Sequence, residues 1–223
     1  MTLLKISWFF VLTLVACSSG QQGNFYADTL QQTKTKDTSH YADLFPFLEQ
    51  DLNKKNVTTN SNYYLLTQST DSTVKITWGN DTIKRVYEEP LDFMFAERIR
   101  IEWNNKDYLI LRYGVGSGAW ETLAFPMNNK EQVQVFDNGL SFDTKNNLLA
   151  TEHWQDTVLI VQNLETHQKQ FIIERENPCD AAGSSSCIDT ININNKVLYY
   201  KWTTPHKFSD KKSSIEKHVR LKI

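Results

Sequence analysis

The sequence predicts an all-β domain of meander repeats preceded by one short helix, and three observations carry that prediction. From Asn56 onward, Val, Ile, Thr, Tyr, Phe and Trp fill short runs that alternate with polar residues and are broken by Asn, Asp and Gly, as strands and turns require. A repeat of polar turn and apolar quartet recurs along the chain. Ile101-Glu-Trp-Asn-Asn-Lys106 precedes Tyr108-Leu-Ile-Leu111, Leu140-Ser-Phe-Asp-Thr-Lys145 precedes Asn147-Leu-Leu-Ala150, and Ile191-Asn-Ile-Asn-Asn-Lys196 precedes Val197-Leu-Tyr-Tyr200. Val57 to Asn62 before Tyr63-Tyr-Leu-Leu66 is a fainter copy. Third, only Asp43 to Lys55 has convincing helical spacing, with Leu44, Phe45, Phe47, Leu48 and Leu52 on one side and Pro46 in the first turn, where its missing N–H does little harm.

The chain begins with a different kind of segment. Met1 to Lys5 is short and weakly positive, and Ile6 to Val15 is a run of 10 mostly apolar residues. That is too short for a membrane-spanning helix, which needs about 20, and suits the core of a secretory signal. The run ends in Leu14-Val15-Ala16-Cys17, followed by the polar Ser18-Ser-Gly-Gln-Gln. This resembles the lipobox of bacterial lipoproteins; an ordinary signal peptide with a chance cysteine is the alternative. The resemblance implies a signal peptide over residues 1–16, cleavage before Cys17, and diacylglycerol on its thiol with acylation of the new amino group. Such chains anchor a protein to a membrane without crossing it. Ser18 rather than Asp after the cysteine resembles the outer-membrane form of the sorting rule. The expected location is thus the bacterial cell envelope, with the membrane itself as the first partner.

Residues 17–42 read as the lipidated cysteine and a polar tether, and residues 43–223 as the helix plus the β domain. As a flexible coil, the tether from 18 to about 40 averages roughly 25–30 Å end to end. The first meander is expected at 57–60, 63–68, 73–78 and 82–87, the second at 98–103, 107–113, 119–125 and 132–136. The third takes 139–143, 147–152, 157–162 and 169–174, and the fourth 188–193, 196–202 and 216–222. Offsets of about 40 residues are those of four-stranded propeller blades. Leu140 to Ile173 resembles a blade of periplasmic β-propeller proteins, and this implies a propeller-like fold; a β-sandwich or barrel is the alternative. Asn24 to Leu30 could complete the fourth unit and remove its exposed edge.

Composition narrows the function. With 24 Lys plus Arg against 26 Asp plus Glu, the net charge is −2, unlike a general nucleic-acid binder. Charged residues at 22 % and aromatics at 12 % argue against a wholly disordered chain. If lipid consumes Cys17, Cys179 and Cys187 remain as an even pair around the loop Asp180-Ala-Ala-Gly-Ser-Ser-Ser186. A disulfide is expected in an oxidising compartment, and one pair lacks the further ligands of a zinc site.

No catalytic motif stands out, and no cofactor or metal is expected. Gly114-Val-Gly116-Ser-Gly118 lacks GxGxxG spacing and joins two strands, so it reads as a hairpin loop rather than a phosphate cradle. The Glu152-His153-Trp154-Gln155-Asp156 cluster reads as a solvated loop sooner than a metal site. The basic stretch Lys207 to Lys222, in which His218, Arg220 and Lys222 alternate with Val219, Leu221 and Ile223, reads as a charged edge strand. Five Asp-Ser/Thr-apolar triplets, among them Asp28-Thr-Leu and Asp156-Thr-Val, resemble envelope O-glycosylation sites, and turn chemistry accounts for most of them.

In an up-and-down meander, successive connections lie at opposite ends. The tight polar turns Asn60 to Asn62, Asn104 to Lys106, Asp143 to Lys145 and Asn194 to Lys196 therefore share one end. The variable connections 69–72, 114–118, 152–156 and 203–215 share the other, and binding tends to reside on such loops. That rim gathers Trp120, Glu121, His153, Trp154, Asp156 and His206, a mix fitted to a glycan or a peptide; packing of the two Trp between blades is the plainer role. The expected function is a non-enzymatic binding or assembly module at a membrane, with an envelope protein or glycan as partner. The alternatives are a hydrolase of envelope glycans or peptides using Glu121 and Asp156, and an inhibitor or immunity-type lipoprotein.

Overall fold

The computed structural model describes residues 45–116, 118–153, 159–173, 187–204 and 213–223. Cys17, the tether and the Asn24 to Leu30 segment lie outside them, as do Cys179, Trp154, Asp156 and His206. The fold is all-β with short helices. Helix α1 (Pro46–Asp51) leads into four antiparallel sheets. The first contains β1 (Lys55–Val57), β2 (Tyr63–Gln68), β3 (Thr73–Gly79) and β4 (Lys84–Val86), in that order. The second contains β6 (Arg100–Asn104), β7 (Tyr108–Gly116), β8 (Ala119–Pro126) and β9 (Gln134–Asp137). The third contains β10 (Gly139–Asp143), β11 (Leu148–Glu152), β12 (Leu159–Asn163) and β13 (Lys169–Ile172). The fourth contains β14 (Ile188–Asn194), β15 (Val197–Thr204) and β16 (Ser213–Arg220). Each sheet is a meander in chain order, and the first also holds a short fifth strand off that path.

Several expected boundaries move. The helix does not run from Asp43 to Lys55. It ends at Asp51, because Leu52 bridges in parallel to Leu66 of β2 and Asn53 turns left-handed at φ 62°. The first strand of the first sheet lies at Lys55–Val57 rather than 57–60, and Lys55 pairs with Leu65. Two small elements were not anticipated. Strand β5 (Leu91–Asp92) pairs with the start of β3, and helix α2 (Phe93–Ala96) follows it, burying Phe93 and Ala96. The last strand begins at Ser213, earlier than expected, and pairs with β15 along its whole length.

The sheets pack in sequence order, which explains the apolar quartets. Leu109 and Leu111 of β7 join a core with Leu66, Ile76 and Trp78 of the first sheet. Tyr108 and Ile110, on the opposite face of the same strand, join Phe142, Leu149 and Leu164 of the third. Leu148 and Ala150 of β11 face Leu198, Tyr200 and Trp202 of the fourth. A middle strand covered on both faces reads as an unbroken apolar run rather than an alternating one. The outer strands β4 and β9, covered on one face only, alternate. Stacked meanders of three to five strands are compatible with a propeller-like fold, and among the described residues no sheet closes into a barrel.

Candidate functional site

The end that carries the tight turns is cross-linked from sheet to sheet. Asn105 Oδ1 accepts the backbone N–H of Asp107 at 2.9 Å and of Tyr108 at 2.8 Å, which closes its own turn. Asn80, Asn128, Asp143 and Asn163 close theirs in the same way, each accepting from the residues two and three further on. This is the side-chain mimicry that makes Asn and Asp turn formers. The remaining donors reach across sheets. Asn62 Nδ2 donates to Asn105 O at 2.6 Å, and Asn105 Nδ2 to Thr144 O and Asn147 Oδ1, both at 2.6 Å. Asp143 Oδ2 accepts from the Lys196 N–H at 3.0 Å, and Ser141 Oγ from the Ile193 N–H at 3.0 Å. Asn62, Asn105 and Asn147 are all buried, and buried amides of this kind must be paired. This end is framework.

The opposite end of the second sheet, beside Gly114, Gly116 and Gly118, holds an open cleft of about 530 Å³. Register builds it. Arg100 of β6 stands opposite Arg112 of β7, and Gly114 of β7 opposite Trp120 of β8. Arg98 packs over Gly114, where a Cβ would stand 3.7 Å from Arg98 Cδ, an ordinary contact distance. The Arg112 guanidinium stacks on the Trp120 ring, 3.8 Å from its centroid, a cation–π contact. Glu102 serves two arginines, Oε2 accepting from Arg100 Nε at 3.1 Å and Oε1 from Arg112 Nη1 at 3.3 Å. Burial lowers the Arg112 pKa, with Arg100 adding to the effect and Glu102 opposing it.

Among the described residues, the rim residues expected from sequence are not brought together in one place. Trp120 lines the cleft, but it also joins two sheets, because its indole N–H donates to Gly139 O at 3.0 Å. The packing role and the lining role are thus combined in one side chain. Glu121 points to the other face of β8, where Tyr113 Oη donates to its carboxylate. Burial first, and that hydrogen bond second, push the Tyr113 phenol up, so it stays a protonated donor. Glu152 and the Trp120 backbone are tied together through Asn138, whose Nδ2 donates to Glu152 Oε2 at 2.8 Å while its Oδ1 accepts from the Trp120 N–H at 3.0 Å. His153 follows directly, half-buried and with a partner. Trp154, Asp156 and His206 lie outside the described residues, so the Glu121 and Asp156 pair has no measured separation. Cys187 is fully buried and is not a free thiol.

Sequence reading missed the three arginines. A compositional signal was present: only six of the 24 basic residues are Arg, and Arg98, Arg100 and Arg112 are three of the six. A second hollow of about 620 Å³ near Trp78 and Tyr87 has its own arginine, Arg85. That cation is committed to structure, donating to Asn128 O at 2.9 Å and Glu131 O at 2.6 Å while lying over Trp78. Among the described residues no group of His, Cys, Asp and Glu is placed to hold a metal ion, and no helix is long and apolar enough to cross a membrane. No protein-family model matches the chain, and no curated protein or solved structure matches it.

Proposed function

We propose that the protein is a lipid-anchored bacterial envelope lipoprotein that acts as a non-enzymatic binding module, using the cleft beside the Gly114–Gly118 hairpin. The anchor is Cys17 of the Leu14-Val15-Ala16-Cys17 lipobox, with the outer membrane as its site, and a Cys179–Cys187 disulfide closes the loop before the fourth sheet. One observation carries the binding role: the charged lining of the cleft is guanidinium, with Arg100 and Arg112 held by Glu102 and Arg112 also by Trp120. Guanidinium stays protonated and charged at any physiological pH. A cleft lined by it attracts and orients a ligand without general acid–base work, which needs a group titrating near the working pH. The variable connections at the same end, on a framework fixed at the other, fit a recognition surface.

The test is crosslinking of the intact chain in its own envelope, followed by mass spectrometry of what it retains, beside the double variant Arg98→Gln/Arg112→Gln. Wild type is expected to retain a molecule that the double variant loses, and Cys17 is expected to carry lipid. Equal retention by both proteins would remove the cleft as the binding surface. An unmodified Cys17 would remove the membrane anchor.

A further inference from the structure

We infer that the cleft between Arg98, Arg100 and Arg112 recognises a dianionic phosphoryl group on a small ligand. This rests on the binding role proposed above and adds the chemical class of the ligand. Charge count is the first ground. Three guanidinium groups and one carboxylate, Glu102, leave a surplus of two positive charges (three minus one). A phosphomonoester carries about −1.5 to −2 near neutral pH, with a second pKa of about 6, and so matches that surplus. A single carboxylate would leave one cation unmatched.

The second ground is the kind of cation. The chain uses Lys three times as often as Arg, 18 against six, yet the cleft is lined by three Arg and no described Lys. Arg presents a planar fork that binds phosphoryl oxygens in pairs, where Lys offers a point charge. The third ground is pre-organisation. Arg112 is fixed by Glu102 on one side and the Trp120 face on the other, and Arg100 binds Glu102 through Nε, which leaves its terminal nitrogens to donate. Arg98 forms no ion pair among the described residues, and its stem rests against Gly114. The hairpin above is open: at Gly116 and Gly118 nothing lies within 4 Å of where a Cβ would stand, and φ is 108° and 80°. A ligand can therefore approach the backbone closely. The volume, about 530 Å³, holds a phosphoryl group with one or two rings attached.

Two sources carry this chemistry, a soluble phosphorylated saccharide and a lipid phosphomonoester headgroup. The test is titration calorimetry on the intact chain in phosphatidylcholine nanodiscs. The probes are inorganic phosphate, hexose 6-phosphate, water-soluble dihexanoyl phosphatidic acid, a hexuronate and the uncharged hexose. The phosphorylated probes should bind, the hexuronate about tenfold more weakly, and the hexose not at all. Raising salt should weaken binding, because the cleft is open and screened. Arg98→Gln should cost about tenfold or more, the range for a charge-assisted hydrogen bond, and Arg98→Lys should recover part of it. Arg98 is exposed, so neither change should move the unfolding midpoint. Tighter binding of the hexose phosphate assigns the saccharide source, and tighter binding of phosphatidic acid the lipid source. Failure of every phosphorylated probe, or equal binding by Arg98→Gln, overturns the inference. If envelope retention depends on Arg98 and Arg112 while no phosphorylated probe binds, the ligand class alone is wrong. If retention ignores both arginines, the binding role of the cleft falls too.

Discussion

The two ends of the meanders are built from the same strands and differ in what their connections do with polar side chains. At the tight-turn end, Asn62, Asn105 and Asp143 spend their hydrogen-bonding capacity on backbone groups of their own turn or of the next sheet, and Asn147 bonds the Asn105, Asp107 and Glu165 side chains. At the variable end, the second sheet leaves three cations around an open cleft, with one carboxylate between them. The difference shows how a repeat fold separates stability from recognition. Saturated polar groups lock the order of the sheets, while charges short of counter-charge remain for a ligand.

The comparison can be broken most sharply at Gly79. A Cβ on Gly79 would stand 2.0 Å from Ile83 O, so the β3–β4 turn must open. Gly79→Ala should destabilise by about 3 kcal/mol or more, in the range of severe backbone clashes, read as a lower urea midpoint. A loss below about 0.5 kcal/mol would mean this turn is not fixed. Next comes Asn105→Ala, which removes two turn bonds and both links to the third sheet. A loss of about 2–3 kcal/mol is expected, since buried backbone donors are left unpaired, with ligand retention unaffected in the fraction that folds.

A smaller effect is expected from acid. Burial alone would raise the Asp143 pKa, but hydrogen bonds from the Lys196 N–H, the Asn146 side chain and the Lys145 and Asn146 N–H groups outweigh it and hold the carboxyl below 3.8. A group whose folded pKa is depressed stabilises fully above its unfolded value, and that contribution is lost as pH falls through the folded value. Thermal midpoints followed downward from about pH 6 should therefore drop below about pH 4, and Asp143→Asn should flatten that drop. An identical acid profile in the variant would contradict the assignment. The smallest stability change belongs to the cleft. Arg98→Gln should alter the unfolding free energy from urea titration by no more than about 0.5 kcal/mol, as for exposed positions, while reducing ligand retention.

Much of the framework was legible in the sequence, and the reasons are local. Tyr108-Leu-Ile-Leu111 and Leu148-Leu-Ala150 lie in central strands covered on both faces, so their burial is written in their composition. Asn104-Asn-Lys106 marks its turn because Asn105 closes it with its own side chain. The helix end was not legible, since Leu52 is drawn to Leu66 by tertiary pairing that helical spacing does not encode. The cleft was only half legible. Trp120 stands out as a rim aromatic, but Arg98 and Arg100 meet Arg112 only through the β6–β7 register, and that register is shifted by a bulge between Ile101 and Trp103. Without the register, those arginines read as ordinary surface charge. Trp120 itself is a poor residue to replace when testing binding, because its bond to Gly139 O makes any substitution structural as well.

The most direct test of the account is the paired envelope crosslinking of wild type and Arg98→Gln/Arg112→Gln, with unfolding midpoints measured on the same preparations. A retained molecule should disappear in the double variant while the stability stays within about 1 kcal/mol of wild type, as for partly exposed cations. Retention unchanged in the double variant, with both proteins folded, would contradict it.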